Sequence, residues 1–104
     1  MPNNYPPNFL WHYERWCSYD DYSEEWKSQM LDRWECAYPR LRHYHPVDAM
    51  ILHIWLSKPE PGYRTNAEMA QLLGYSRGGM HSRLSRAWRR FMVQVHYAGR
   101  RIDS

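Results

Sequence analysis

Long apolar runs are missing from this chain. No stretch of about 18 apolar residues occurs, so no transmembrane helix is expected. The opening Met1-Pro2-Asn3-Asn4-Tyr5-Pro6-Pro7 lacks the charged and apolar parts of a signal peptide, which makes the cytosol the expected compartment. Cysteine is scarce. Cys17 and Cys36 stand 19 positions apart, and in a reducing compartment both are expected to be buried, reduced small hydrophobes. Zinc sites use close ligand pairs such as C-x-x-C, whereas His43 and His45 form only an i, i+2 pair, so no metal and no cofactor is expected. Glycine is also sparse, and Gly78-Gly79 lacks the flanking spacing of a phosphate-binding loop. There is no Ser-His-acid set and no closely spaced carboxylate pair, so an enzyme is not expected. Internal repeats and low-complexity tracts are absent. Between Arg77 and Arg101 there is no acid at all, which removes the Asp/Glu cluster a nuclease would need beside its basic face.

What the chain has in quantity is aromatic rings and, in its second half, arginine. Its 104 residues suit one small domain. So small a domain buries a modest fraction of its surface, and the 16% aromatic content offsets this because each large ring buries much area. Not all of these rings fit in a core. Some of Trp11, Tyr19, Tyr22 and Tyr38 are expected at the surface, available to another protein. Charge is divided unevenly. Residues 1–52 hold five Lys/Arg against eight Asp/Glu, residues 53–104 nine against three, and seven arginines lie between Arg77 and Arg101. That asymmetry points to a polyanion on one face of the C-terminal half. Arginine suits phosphate and guanine because its fork bonds two acceptors at once.

Periodicity predicts helices throughout. Residues 1–8, rich in Pro and Asn, read as an extended arm. Phe9, Tyr13, Trp16 and Cys17, at offsets 0, 4, 7 and 8, form one apolar face of a first helix. Ser23 caps a second, striped by Trp26, Met30, Trp34 and Ala37 and expected to end before Pro39. Arg40 to His45 then reads as a basic, aromatic linker. Pro46 opens a third helix, with Asp48 near its positive end and Met50, Ile51, Ile54 and Trp55 as its buried side. Lys58-Pro59-Glu60-Pro61-Gly62 breaks it. A last helix is expected to stop near Gly99, leaving Arg100-Arg101 as a short basic tail.

Residues 65–91 organise the rest. Thr65 and Glu68 have capping-box spacing, Ala67 to Leu73 favour a two-turn helix, and Gly74 stops it. Tyr75 plugs the corner and Ser76 caps the next helix. Met80, Leu84, Ala87, Trp88, Phe91 and Val95 form its apolar stripe. At about 100° per residue, Gly78, Ser82, Ser85, Arg86 and Arg89 point away from that stripe, with Arg83 and Arg90 on the flank. Slim residues first and long cations after is the order a helix needs in the major groove. Arg77, His81, Ser82 and Ser85 are the expected base readers; Arg86 and Arg89 are the expected phosphate contacts. Thr65, Asn66, Gly78, Gly79, Arg83 and Arg90 complete the expected DNA-binding set. The two glycines cost about 1 kcal/mol each in helix propensity, so either close approach of the backbone to DNA or a late-starting helix should favour them. The plainer alternative is a helical hairpin with a solvated basic face.

Glu68-Met69-Ala70-Gln71-Leu72-Leu73-Gly74-Tyr75-Ser76, followed by Met80-His81-Ser82-Arg83-Leu84-Ser85-Arg86-Ala87, resembles the region 4 helix-turn-helix of bacterial sigma factors. That motif runs acid-Ile-Ala-x-x-Leu-Gly-Val-Ser and then Val-x-x-Arg-Leu-x-Arg-Ala. The chain departs from it at Gly79, where the family carries Thr or a larger polar residue, and at Trp88, where it carries a charge. The layout of the whole chain resembles the phage antitermination protein Q family, with Trp11-x-x-x-x-Trp16 as the N-terminal piece and Val47 to Leu56 as the middle helix. The expected fold is therefore all-α: a small domain of about five helices spanning 9–104, with a C-terminal helix-turn-helix at 65–91. The resemblance implies a transcription regulator that binds double-stranded DNA, engages host RNA polymerase and acts in late-gene antitermination. A sigma-like repressor or activator, or a polymerase-binding adaptor without specific DNA contact, are the alternatives. A homodimer is left open.

Overall fold

Trp34 is fully buried, and six aromatic rings from two parts of the chain pack around it. Phe9, His12, Tyr13 and Trp16 approach from one side, with centroids 5.1–5.8 Å away; Trp88 and Phe91 approach from the other at 5.6 and 5.0 Å. Most of these pairs meet edge to face, the arrangement ring quadrupoles favour. The computed structural model describes residues 5–103, with side chains to Arg100. It contains α1 (Phe9–Cys17), α2 (Glu24–Tyr44), α3 (Pro46–Trp55), α4 (Asn66–Leu73) and α5 (Arg77–Asp103), and no strand among the described residues. The two long helices α2 and α5 pack on each other, α3 packs on both, and α4 packs on α5. None of the helices is long and apolar enough to cross a membrane among the described residues.

Local signals set most of the boundaries. The Ser23 side chain accepts a hydrogen bond from Trp26 N, and Glu24 and Glu25 occupy the first turn of α2, where the helix dipole favours acids. Buried Phe9, Tyr13 and Cys17 form the expected stripe of α1, and buried Trp34 and Ala37 anchor that of α2. Pro46 takes the first turn of α3. His45 closes α2 and opens α3, so no loop separates them.

Four expectations from local rules are corrected. First, α2 does not end before Pro39; it runs through it to Tyr44 and absorbs the expected linker at 40–45. Proline has no N–H, so the carbonyl of Glu35 loses its helical donor. The Tyr5 hydroxyl replaces that donor at 2.7 Å. Second, the described part of the expected arm is not extended. Tyr5 stacks on Phe9 at 4.6 Å, and Asn8 is buried, donating its side-chain amide to the carbonyls of Gly62 (2.9 Å) and Glu60 (3.2 Å). Residues 1–4 of that arm lie outside the described residues. Third, α3 buries Asp48, Ala49, Ile51 and Leu52, while Met50 is exposed and Ile54 and Trp55 are half-buried. The helix is apolar on nearly every side, so its pattern does not mark the inner face. Fourth, α5 continues past Gly99 to Asp103. Gly99 packs where a Cβ would stand 2.8 Å from the Arg33 guanidinium, so its small size serves a close approach of α2 rather than a helix end. Among side chains, Cys17 is buried but Cys36 is exposed. Of the four rings expected at the surface, Tyr38 is core, donating its hydroxyl to Ala49 O at 3.1 Å, Trp11 is half-buried against Tyr63, Tyr22 is half-buried and Tyr19 is exposed.

His12 is the polar residue inside this aromatic core. Rings of Trp34, Trp55, Tyr63 and Trp88 lie within 5.4 Å of it, Nδ1 shares a 2.5 Å hydrogen bond with the Tyr63 hydroxyl, and Nε2 is buried with no partner. Burial, aided by the charge of Arg15, lowers its pKa to about 4.

Two predictions follow from this packing. Tyr5→Phe should cost about 1 kcal/mol by chemical denaturation, because it leaves the Glu35 carbonyl without a donor. In a Pro39→Ala background the restored amide serves that carbonyl, so the same change should cost much less; equal losses would refute the role given to Tyr5. For His12, the unfolded chain binds the proton first as pH falls below about 6.5. Stability is therefore full above that pH and lost toward pH 4, with about 2–3 kcal/mol gone by about pH 4.5. Melting curves of wild type and His12→Phe across that window should show the loss in the former and a much flatter profile in the latter.

Candidate nucleic-acid interface

The hairpin of α4 and α5 is built by its own caps. Thr65 Oγ1 accepts from Glu68 N at 3.1 Å while the Glu68 carboxylate accepts from Thr65 N at 3.2 Å, closing both sides of a capping box. Gly74 ends α4 in the left-handed conformation at φ 77°, and its N–H and that of Tyr75 both return to Ala70 O. Ser76 Oγ then accepts from Gly79 N at 3.1 Å and caps α5. The two helices pack on each other, and buried Met69 and Ala70 on α4 share one core cluster with buried Met80 and Ala87 on α5. A small residue at position 70 suits the close approach of the two helices.

The outward face of α5 carries most of the expected residues. Arg77, Gly78, Gly79, His81, Ser82, Arg86 and Arg89 are exposed, and Ser85 is half-buried. The two glycines lie within the first turn, so the helix does not start late. Gly79 has a local reason to be small: a Cβ there would stand 3.0 Å from the capping oxygen of Ser76. Around Gly78 there is open space.

Four of the expected DNA contacts have other engagements. Thr65 serves the capping box, and Asn66 donates its side-chain amide to Arg77 O at 3.0 Å, tying the start of α4 to the start of α5. Arg83 and Arg90 turn the other way, and both bond Asp48 on α3. Arg83 Nη1 donates to Asp48 Oδ1, and Arg90 Nη1 to Oδ2 at 2.7 Å. The side chain of Asp48 is 1% exposed, that of Arg83 18% and that of Arg90 41%. Both arginines hold the fold at this point, since a buried carboxylate must be paired. Burial by itself raises the pKa of Asp48; hydrogen bonds from Arg90 and Arg83 outweigh it and hold the carboxyl below its usual range. Sequence reasoning placed Asp48 at the helix dipole and missed this role. The available signal was one acid in an otherwise apolar stretch, answered by two arginines seven residues apart on one side of a helix.

What remains for a ligand is a convex strip with Arg77, Arg86 and Arg89 exposed, small polar residues between them, and no acid in the strip's own sequence. It presents donors to anionic or acceptor-rich partners. Comparison of the chain with protein-family models, with curated proteins and with solved structures gives no match.

The Asp48 cluster sets a further prediction. Asp48→Asn leaves two guanidinium groups beside a neutral amide and should destabilise the fold by about 3 kcal/mol or more. Replacing all three side chains with apolar ones of similar volume (Asp48→Leu, Arg83→Met, Arg90→Met) should recover most of that loss. Denaturant midpoints of the two proteins measure this, and a single mutant as stable as wild type would refute the pairing.

Proposed function

We propose that the chain binds duplex DNA, with the first four turns of α5 lying in the major groove and α4 crossing behind them. The observation that carries this reading is the exposed strip itself. After Arg77 its residues are slim through the first turns and arginines later, on a helix held in orientation by its Ser76 cap and by the Asp48 pairs. A solvated surface needs no such order, whereas a groove does: small groups admit the backbone, and later cations meet phosphates. Arg77, His81, Ser82 and Ser85 are the candidate base readers in this arrangement; Arg86 and Arg89 are the candidate phosphate contacts. Thr65 keeps a hydroxyl hydrogen that a phosphate could accept.

The same reading makes the hairpin a helix-turn-helix of the sigma region 4 kind. Its resemblance, with that of the chain layout to antitermination protein Q, supports a transcription regulator acting with RNA polymerase in a bacterial cell, most specifically in late-gene antitermination. A sigma-like repressor or activator uses the same DNA contact.

Duplex binding measured against salt concentration tests the DNA contact. Arg86→Ala and Arg89→Ala should each weaken binding to all sequences alike and reduce the salt slope by about 0.9. Arg77→Ala should relax the selected site at one position, a loss of about 1–3 kcal/mol of discrimination. Binding that does not respond to salt, or slopes unchanged in both mutants, would place the DNA contact elsewhere or remove it.

A further inference from the structure

The solvent face of α5 changes character half-way. Arg86 and Arg89 end the polar strip, and one turn on the same line of the helix turns apolar. Val93 is 49% exposed and Tyr97 45%. With Trp88 and Met92 they line an open groove of about 510 Å³, with Arg89 at one end and Arg100 at the other. The Arg100 guanidinium lies over the Tyr97 ring, 5.9 Å from its centroid. From Trp88 to Arg100 the groove runs roughly 18 Å, about three helical turns.

We propose that this groove is a docking site for an acidic, amphipathic helix of a partner protein. Charge complementarity selects the occupant. The residues lining the groove include two arginines and His96 and no acid, and none occurs in the chain from Met69 to Ile102. An occupant must therefore bring apolar anchors for Val93, Met92 and Tyr97 together with carboxylates for Arg89 and Arg100. A helix with anchors at i, i+4 and i+7 supplies both over this length. An added strand is excluded because the side of a helix offers no free backbone donors or acceptors. DNA is a poor fit, since its phosphates gain nothing against Val93 and Tyr97. A symmetric second copy would set Arg89 and Arg100 against their own counterparts. The proposal does not depend on the DNA reading: of the groove residues Arg89 alone is shared with it, and the test is read at Val93 and Tyr97.

The test uses the full chain and a fluorescent synthetic helix of about 15 residues, with Leu at i, i+4 and i+7 and Glu on both flanks. Its control is the same peptide with every Glu replaced by Lys. Anisotropy should show saturable binding of the acidic peptide and at least about tenfold weaker binding of the Lys form. Val93→Glu and Tyr97→Ser, each checked for an unchanged melting curve, should both weaken the acidic peptide by about tenfold, while Arg86→Ala should not. Two variants at exposed positions keep the test informative if one fails to fold. Equal binding of the two peptides, or binding indifferent to both groove variants, overturns the proposal. So does self-association in sedimentation that Val93→Glu abolishes, which would assign the face to a second copy. Displacement of the peptide by duplex DNA from wild type and Arg86→Ala alike would assign it to DNA and overturn it as well.

Discussion

A carboxylate taken out of water costs several kcal/mol unless cations meet it, and Asp48 is met by two. That requirement fixes more than a local contact. Arg83 and Arg90 lie two turns apart on α5, and both must face α3, so the helix has one permitted rotation about its axis. Once that rotation is set, Met80, Ala87 and Phe91 fall inward and Arg77, Ser82, Arg86 and Arg89 fall outward. An apolar seam alone would tolerate some rolling of α5. A pair of charged hydrogen bonds to the two oxygens of one carboxylate tolerates far less, because the fork geometry of each guanidinium is directional.

The aromatic core complements this constraint. Rings around Trp34 of α2 come from α1 and α5, and each meets several others at once. Large rings fill volume with few side chains, which suits a chain too short for a deep aliphatic core. His12 shows the cost of building from rings that carry heteroatoms. It packs well, yet one nitrogen has no partner, and the site stays comfortable only while the imidazole is neutral.

The sequence was legible where neighbours in the chain decide the structure, and less so where distant residues do. Thr65, Glu68, Gly74 and Ser76 act within three or four positions of themselves, and their caps and turn were readable from spacing alone. The same holds for the stripe of Phe9, Tyr13 and Cys17. Pro39 misled because the hydroxyl that rescues its helix comes from Tyr5, far away in sequence. Gly99 misled because its reason is Arg33 on another helix. On the helical wheel Arg83 and Arg90 sat at the flank of the basic face, and only the position of α3 shows which way they turn. Of the candidate site, the outward strip was therefore readable, while the division between arginines that face solvent and arginines that hold the fold was not.

The clamp on Asp48 also bears on how the protein emerges from synthesis. Domains fold most simply when each new segment completes what precedes it. Here α3 carries the carboxylate, but both arginines lie on α5, 35 and 42 residues later. Until α5 has left the ribosome, Asp48 lacks both of its cations, and Trp34 lacks Trp88 and Phe91. The core cannot close by instalments from the N-terminus. The arginine-rich helix that presents the basic face is thus the same segment that supplies the last rings of the core and the cations for Asp48.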